Sequence, residues 1–378
     1  MTTTLHRTTT ALAFRANSRA FSLLVGWVAK HVPNRPSTPV LGGILLEVAD
    51  GQLVASGFDY DTSAQARIDV DDATPGRVLV SGRLLGELVK TFPDKPVDVA
   101  TDTALTVRCG SLKLTLPRMV VDDYPTLPGM PPAAGTVDAV DFAALAGRVG
   151  VAADLSGKTG RKVLHGVHVG LGTAEIEMMA SDGYRIATGR VPWQSTAGAE
   201  MAVTIAGPAL IDAGRTLDGV GEVTIGYAAG DGVIGFATAA QTIVTRLMAD
   251  EWPTGVQRTI PPRSETPAQV DTAALTLALK RADLVRADGA PVSLAISQAG
   301  ITVAGKGDAE TGEVVECEYD GADVTVHVNP LYLADALAGL RSNTAEISIT
   351  DPHKPVLLTS PDDPDQSYRH TIQPLRLR

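Results

Sequence analysis

Apolar and polar residues alternate in three stretches that share one internal order. Gly42 to Ile68 (GGILLEVADGQLVASGFDYDTSAQARI), Gly166 to Val191 (GVHVGLGTAEIEMMASDGYRIATGRV) and Pro291 to Cys317 (PVSLAISQAGITVAGKGDAETGEVVEC) each read as strand, turn, strand, polar corner, strand. A period of two sends successive side chains to opposite faces of a sheet, so each stretch predicts three consecutive half-buried strands. The corners carry Asp59, Asp182 and Asp308 at nearly equal intervals, so one unit is written three times.

A helical period precedes each stretch, in SRAFSLLVGWVAKHV from Ser18, DFAALAGRVGVAA from Asp141 and TAALTLALKRADLVRA from Thr272. Ser18, Asp141 and Asp271 are the N-caps this pattern predicts. A second helix follows each stretch, in SGRLLGELVKTF from Ser81, GPALIDAGRTL from Gly207 and NPLYLADALAGL from Asn329. Asn329-Pro330 fits an N-cap with proline at the first helical position. More strands come after each second helix. The order is α+β, three tandem copies of a two-helix, roughly eight-stranded domain, and not the strand-helix alternation of a parallel sheet. The Pro-rich segments DDYPTLPGMPPAAGT and EWPTGVQRTIPPRSETP place the boundaries, giving domains over 1–130, 131–257 and 258–378. Phe21, Leu24, Val25, Val28 and Ala29 give the first helix one apolar stripe, with Arg19, Lys30 and Arg35 on or beside its other face.

The 378 residues suit two or three domains, and the repeat selects three. With 44% hydrophobic and 20% charged residues the chain reads as globular. No apolar run approaches the roughly 18 residues of a membrane span. The start, MTTTLHRTTTALAF, is too polar for a secretory signal and reads as a frayed extension. Cys109 and Cys317 make no disulfide framework; they suit a reducing cytosol and read as small core or strand residues.

A net charge of −11 excludes a uniformly basic coat but not a nucleic-acid partner, because binding follows local potential. Arg19, Lys30, Arg35, Arg83, Lys90, Arg148, Arg215, Lys280, Arg281 and Arg286 lie in or beside the six helices, while the strands carry much of the acid. Helices gathered on one side would make that side basic, with sequence-independent contacts to phosphates. Asp212, Asp283 and Asp335 interrupt the pattern, and ordinary solvated helix faces are the plainer reading of any single residue.

Catalytic and cofactor chemistry finds little support. SGKT, Ser156 to Thr159, has Ala152 where a phosphate loop needs glycine, and it follows a helix rather than a strand. His165 and His168 stand three apart in an expected strand, facing opposite sides, with no cysteine or acid to complete a metal site. The acids of DDATPG and PDDPDQ read as solvated turns, and nothing resembles a strained nucleophile elbow. The expectation is no enzyme, no metal and no cofactor. One stretch still looks like a working site: MMASDGYRIATGR, Met178 to Arg190, sets a ring, a guanidinium and a branched apolar residue beside a tight turn with no catalytic partner near.

Three tandem two-helix α+β domains, with NRPSTPVLGGILLEV, VLVSGRLLGELVKTFP, SDGYRIA, DEWPTG and the terminal TIQPLRL, resemble the bacterial DNA polymerase III β subunit, the DNA sliding clamp family, from about Ala11 to Leu377. The resemblance implies a cytoplasmic, nucleoid-associated processivity factor. It would be a head-to-tail homodimer closing a six-domain ring around double-stranded DNA without sequence specificity. Sheets continued between protomers would bring Leu114 and Leu116 opposite the region of Leu284. The resemblance implies DNA contacts at Arg35, Arg83 and Lys90, and at Lys158, Arg161 and Lys162 of the second domain.

It further implies a peptide pocket for the DNA polymerase III α subunit, the clamp loader and other proteins with a clamp-binding motif. Its residues would be Leu164, Ser181, Gly183, Tyr184, Arg185, Ile186, Pro253, Asn329, Tyr332, Val356, Leu358, Gln373, Pro374, Leu375 and Arg376. Such a groove suits Leu and Phe anchors on an extended peptide. Several positions depart from the family: Lys162 and Val163 replace aromatic residues, Gly207-Pro208 replaces a basic pair, Gln373 replaces a methionine, and Arg378 extends the tail. These departures leave a specialised paralogue (an accessory, mobile-element or resistance copy) as the alternative to a main clamp, and an enzyme on a repeated α+β scaffold as the third reading.

Overall fold

The computed structural model describes residues 11–376 apart from 197, 199, 218 and 220. The start up to Thr10 and the tail residues Leu377 and Arg378 lie outside the described residues. One element order recurs three times. The first copy runs β1 (Ala13–Ala16), α1 (Ser18–Ala29), β2 (Gly43–Ala49), β3 (Gln52–Phe58), β4 (Thr62–Asp69), β5 (Gly76–Ser81), α2 (Gly82–Leu88), β6 (Val97–Thr101), β7 (Ala104–Cys109) and β8 (Leu112–Met119). The second runs β9 (Ala133–Asp138), α3 (Ala139–Gly150), β10 (Gly166–Leu171), β11 (Glu175–Ser181), β12 (Arg185–Pro192), β13 (Met201–Ala206), α4 (Gly207–Leu217), β14 (Glu222–Tyr227), β15 (Val233–Ala237) and β16 (Gln241–Arg246). The third runs β17 (Ala268–Asp271), α5 (Thr272–Val285), β18 (Val292–Ser297), β19 (Gly300–Lys306), β20 (Glu310–Val315), β21 (Val324–Val328), α6 (Pro330–Leu340), β22 (Thr344–Ser348), β23 (Val356–Thr359) and β24 (Tyr368–Ile372). Each copy adds one short strand: Asp71–Thr74, Gln194–Ser195 and Cys317–Glu318.

Helix starts follow the side chains that satisfy the first free N–H groups. Asn17, not Ser18, caps α1, accepting from the N–H of Arg19 and Ala20. Asp138, not Asp141, caps α3, accepting from Val140 and Asp141. In both, the polar residue one turn-entry earlier keeps extended backbone and reaches forward, which leaves the expected cap inside the first turn. Asp271 and Asn329 cap as expected, and Ser81, read as the start of its helix, caps α2. α1 buries Phe21, Leu24, Val25, Trp27 and Val28, each worth about 1.5–3 kcal/mol when removed from water. The helices of a copy approach closely where small residues meet: a Cβ on Gly86 of α2 would stand 2.7 Å from that of Ala29, and one on Gly214 of α4 2.8 Å from that of Ala146.

Other expectations are corrected. The chain from Leu12 to Ala16 is not frayed: Leu12 and Phe14 are buried, and Leu12 exchanges hydrogen bonds with Thr101. The paired acids Asp71 and Asp72 lie in a short, exposed strand and not a turn. Asp363 does more than face solvent, since its carboxylate accepts from Ser367 and Tyr368 and fixes the turn before β24. His165 belongs to a 3-10 turn, Lys162–His165, and only His168 is in a strand.

The chain divides into two compact units, one holding the residues up to Ala134 with Gly221–Arg246, the other holding the remainder. The division cuts the second copy because strand pairing crosses between copies. In the first unit β16 pairs antiparallel with β4, Gln241 opposite Ala66 and Thr245 opposite Thr62. In the second, β24 pairs with β12, Arg185 opposite Ile372 and Gly189 opposite Tyr368. The last strand of one copy thus pairs with the fourth strand of the copy before. Several strand edges remain among the described residues. β20 pairs only with β19, and β8 pairs along Leu112–Pro117 only with β7.

Candidate peptide-binding groove

The second unit contains the stretch singled out by sequence, and the turn there is built by its own side chains. β11 ends at Ser181, whose hydroxyl donates to the Arg185 carbonyl at 2.8 Å and accepts from the Gly183 N–H. Asp182 accepts from the N–H of Tyr184 at 2.9 Å and of Arg185 at 3.0 Å. This bends the chain through Gly183, at φ +88°, where a side chain would be strained. The outcome is opposite fates for neighbours. The Tyr184 ring is 56% exposed and Arg185 only 9%.

Arg185 turns inward and ties four elements together. Its Nε donates to Asp182 at 3.1 Å, Nη1 to Asp335 of α6 at 2.6 Å, and Nη2 to the Val151 carbonyl at the end of α3. The guanidinium lies over the Tyr332 ring, 4.4 Å from its centroid. A buried cation needs this many partners to offset its desolvation. Burial raises the Tyr332 phenol, and the neighbouring Asp182 adds to it. Beneath, the Tyr368 hydroxyl donates to the Arg148 carbonyl and meets His370 Nδ1 at 2.9 Å. Burial, with the Arg185 charge, pulls His370 down to about 3, so it is neutral at ordinary pH.

The tail completes the rim. The Gln373 N–H donates to the Tyr184 carbonyl at 2.8 Å, its side-chain amide to the His353 carbonyl at 3.3 Å, and the Leu375 N–H to His327 at 2.7 Å. Tyr184, Gln373, Leu375 and Arg376 are therefore exposed around one corner, with Ile186 and Tyr332 half-buried and Pro374 buried. Leu164, Val356 and Leu358 are buried, at 3%, 2% and 0% exposure, and so present no open surface of their own. Pro253 is exposed ahead of a short 3-10 turn, and Asn329 is engaged as the α6 cap. Asp335, absent from the expected site, holds Arg185. It is the one charged residue of α6, an otherwise uncharged helix.

The expected DNA contacts divide by how free their charges are. Arg35, Arg83, Lys158, Arg161 and Lys162 are exposed without an ion pair among the described residues, as are Arg19, Lys30 and Lys280. Lys90 pairs with Glu87 at 2.7 Å, Arg215 with Asp212, Arg281 with Glu313 and Arg286 with Asp283. Arg148 is no surface residue: it lies over the Tyr368 ring at 4.8 Å, and burial lowers its pKa. The basic helix face is thus narrower than composition suggested. In the SGKT loop the N–H groups of Lys158 and Thr159 donate to Asp154 of the same chain. Burial opposes ionisation of Asp154, but bonds from Thr159, Ser156 and those N–H groups outweigh it and hold the carboxyl well below its ordinary range.

Leu284 of α5 is 78% exposed and Val314 of β20 60%, while on β8 Leu114 is half-buried and Leu116 only 6% exposed. Leu116 is therefore packed within its own unit, the plain reading of a β-strand leucine. Among the described residues no cluster of His, Cys, Asp and Glu could hold a metal, and no helix is long and apolar enough to cross a membrane.

Residues 12–128, 136–254 and 257–376 match the family models for the N-terminal, central and C-terminal domains of the DNA polymerase III beta subunit. The beta sliding clamp of Streptomyces coelicolor is 35% identical over 366 residues, covering 93% of this chain and 96% of that protein. The beta sliding clamp homolog GriR of Streptomyces muensis is 28% identical over 374 residues, covering 97% and 99%. A crystal structure of the Pseudomonas aeruginosa DnaN sliding clamp bound to griselimycin superposes with a TM-score of 0.89 at 23% identity, covering 97% of this chain and all of that one.

Proposed function

This chain belongs to the DNA polymerase III beta subunit family and is built of three clamp domains, and from that premise we propose that two copies close head to tail into a ring around duplex DNA. The domains are taken as 1–130, 131–257 and 258–378. One observation carries the reading. The joints β4–β16 and β12–β24 each couple the fourth strand of one copy to the last strand of the next. The same rule leaves one side of β20, and of Leu112–Pro117 in β8, without a partner strand, and a second chain would bring the two together. Leu284 and Val314 beside β20 supply apolar surface for that contact, with Leu114 of β8 across from them. Leu116 contributes through backbone.

A ring holds DNA by topology, so its contacts need no particular base. Arg35, Arg83, Lys158, Arg161 and Lys162 supply salt-sensitive attraction to phosphates, with Lys90 contributing less. The groove around Tyr184, Arg185, Ile186, Gln373 and Leu375 takes the apolar anchors of a peptide from the polymerase α subunit, the clamp loader or another partner. Tethering raises the partner's effective concentration at the template, so a weak peptide contact suffices. The protein itself catalyses nothing and works in the cytoplasm at the nucleoid. The test is mass and retention. Light scattering gives twice 39.3 kDa, and protein loaded on circular DNA leaves when the circle is cut. A monomer, or retention unchanged by linearisation, overturns the ring.

Gln373 favours a second reading, a specialised paralogue, because an amide in an apolar subsite weakens hydrophobic anchors. Gln373→Met then tightens binding of a Gln-Leu-x-Leu-Phe peptide by about tenfold; an unchanged affinity returns the protein to the main-clamp reading.

A further inference from the structure

The sheet face behind the corner continues along β12. Along β12 the odd residues Arg185 and Gly189 point toward the helices, a Cβ on Gly189 meeting Leu145 and Val149 of α3. The even residues therefore share the opposite face. On that face Ser181, Ile186 and Thr371 form one cross-strand row, and Met179, Thr188 and Arg369 form the next. Two residues along a strand span about 7 Å. The second row floors a cavity of about 390 Å³ rimmed by His168, Gln257 and Gln366.

The cations of this basin differ. Arg190 is engaged, by Glu175 at 3.4 Å and the Asp365 carbonyl at 3.0 Å. Arg369 has no ion pair or hydrogen bond among the described residues, and its Nε is buried without a partner. His168, stacked on Trp252 at 5.7 Å, likewise has a buried Nδ1 without a partner. Glu177 and Asp365 also line the basin, but neither lies within ion-pair distance of Arg369.

We propose that this basin extends the peptide groove and receives an acidic residue of the partner peptide, two to four positions beyond its apolar anchors, on the Arg369 guanidinium. The inference rests on the peptide-groove reading above. An extended chain continuing in the direction of the strands crosses from the Ile186 row to the Arg369 row in two residues, and a carboxylate supplies the charge-assisted bonds that the free guanidinium lacks.

The test uses the full-length protein and three labelled peptides that share Gln-Leu-x-Leu-Phe anchors and carry Asp-Asp, Ser-Ser or Lys-Lys flanks, on either end. Fluorescence anisotropy should show the acidic flank on one end binding about threefold to tenfold tighter than the serine flank at low salt. The gain shrinks in 0.5 M salt. Arg369→Gln removes it while leaving the serine-flanked peptide unchanged, which also shows that the variant is folded. Equal affinity for all flanks overturns the inference alone, as does a gain that survives both high salt and Arg369→Gln. Competition by inorganic phosphate with no flank effect overturns it as well, leaving a small-anion site only. An anchor peptide that fails with every flank overturns the groove reading and this inference with it.

Discussion

The corners of the first and second copies are the same turn put to different uses. In the first, Asp59 accepts from the N–H of Asp61 at 2.9 Å and of Thr62 at 2.7 Å, as Asp182 does for Tyr184 and Arg185. The left-handed position falls on Tyr60, at φ +78°, where the second copy has Gly183. The strand that closes each corner also matches: the Arg246 N–H donates to the Asp61 carbonyl at 2.9 Å, as Gln373 does to Tyr184. The side chains then diverge. The first corner ends in Thr62, whose hydroxyl meets that of Thr245 at 2.9 Å, and Arg246 reaches back to the Tyr60 carbonyl. It is sealed by polar contacts. The second corner sends a guanidinium inward and an aromatic ring outward, leaving apolar surface unclaimed. One backbone geometry thus closes both joints, polar and sealed in the first and with an exposed aromatic ring in the second, because three side chains differ.

The third corner sharpens the point. Among the described residues Asp308 accepts no such bonds; the Gly307 N–H donates to the Ala309 carbonyl instead. Its strand β20 pairs only with β19 among the described residues.

The largest effect is expected from Arg185→Ala. It strips Asp182, Asp335 and the Val151 carbonyl of their shared donor, at a cost of about 3–5 kcal/mol. Thr62→Ala at the first corner costs about 1 kcal/mol, the value of one hydrogen bond. Urea unfolding read from Trp193 and Trp252 should separate the two variants, and equal losses would erase the distinction between the corners. Next comes pH. His370 stays neutral in the fold, down to about 3, while the unfolded chain takes a proton near 6.5. Its contribution is complete above pH 6.5 and falls by about 1.4 kcal/mol per unit below that, until about 3. The melting temperature of the parent should drop more steeply between pH 6.5 and 5 than that of His370→Asn; parallel curves would remove His370 from the account.

Gly183→Ala meets open space but a forbidden backbone, so it costs about 1 kcal/mol. Tyr60→Asn should cost almost nothing, since asparagine tolerates that conformation, and thermal melts of the pair measure the difference. Smallest in stability is Tyr184→Ala, within about 0.5 kcal/mol of the parent, yet it should weaken an anchor peptide at least tenfold as the exposed aromatic of the groove. Asp61→Ala at the matching position should leave peptide binding unchanged.

The sequence by itself determined the threefold order of helices and strands, because burial on one face forces a period of two or 3.6 wherever an element forms. It also fixed the corner at Asp182, since an acid before glycine closes a turn locally. Helix starts were read a few residues late where Asn17 and Asp138 cap, as the capping bond depends on backbone direction. Tertiary structure alone decided which strands join between copies, that Leu116 lies inside and Arg148 half-buried over Tyr368, and that Arg185 finds Asp335 some 150 residues away. Those outcomes depend on packing between segments distant along the chain, where local patterning gives no register and a charge reveals its partner only after the fold has brought the two together.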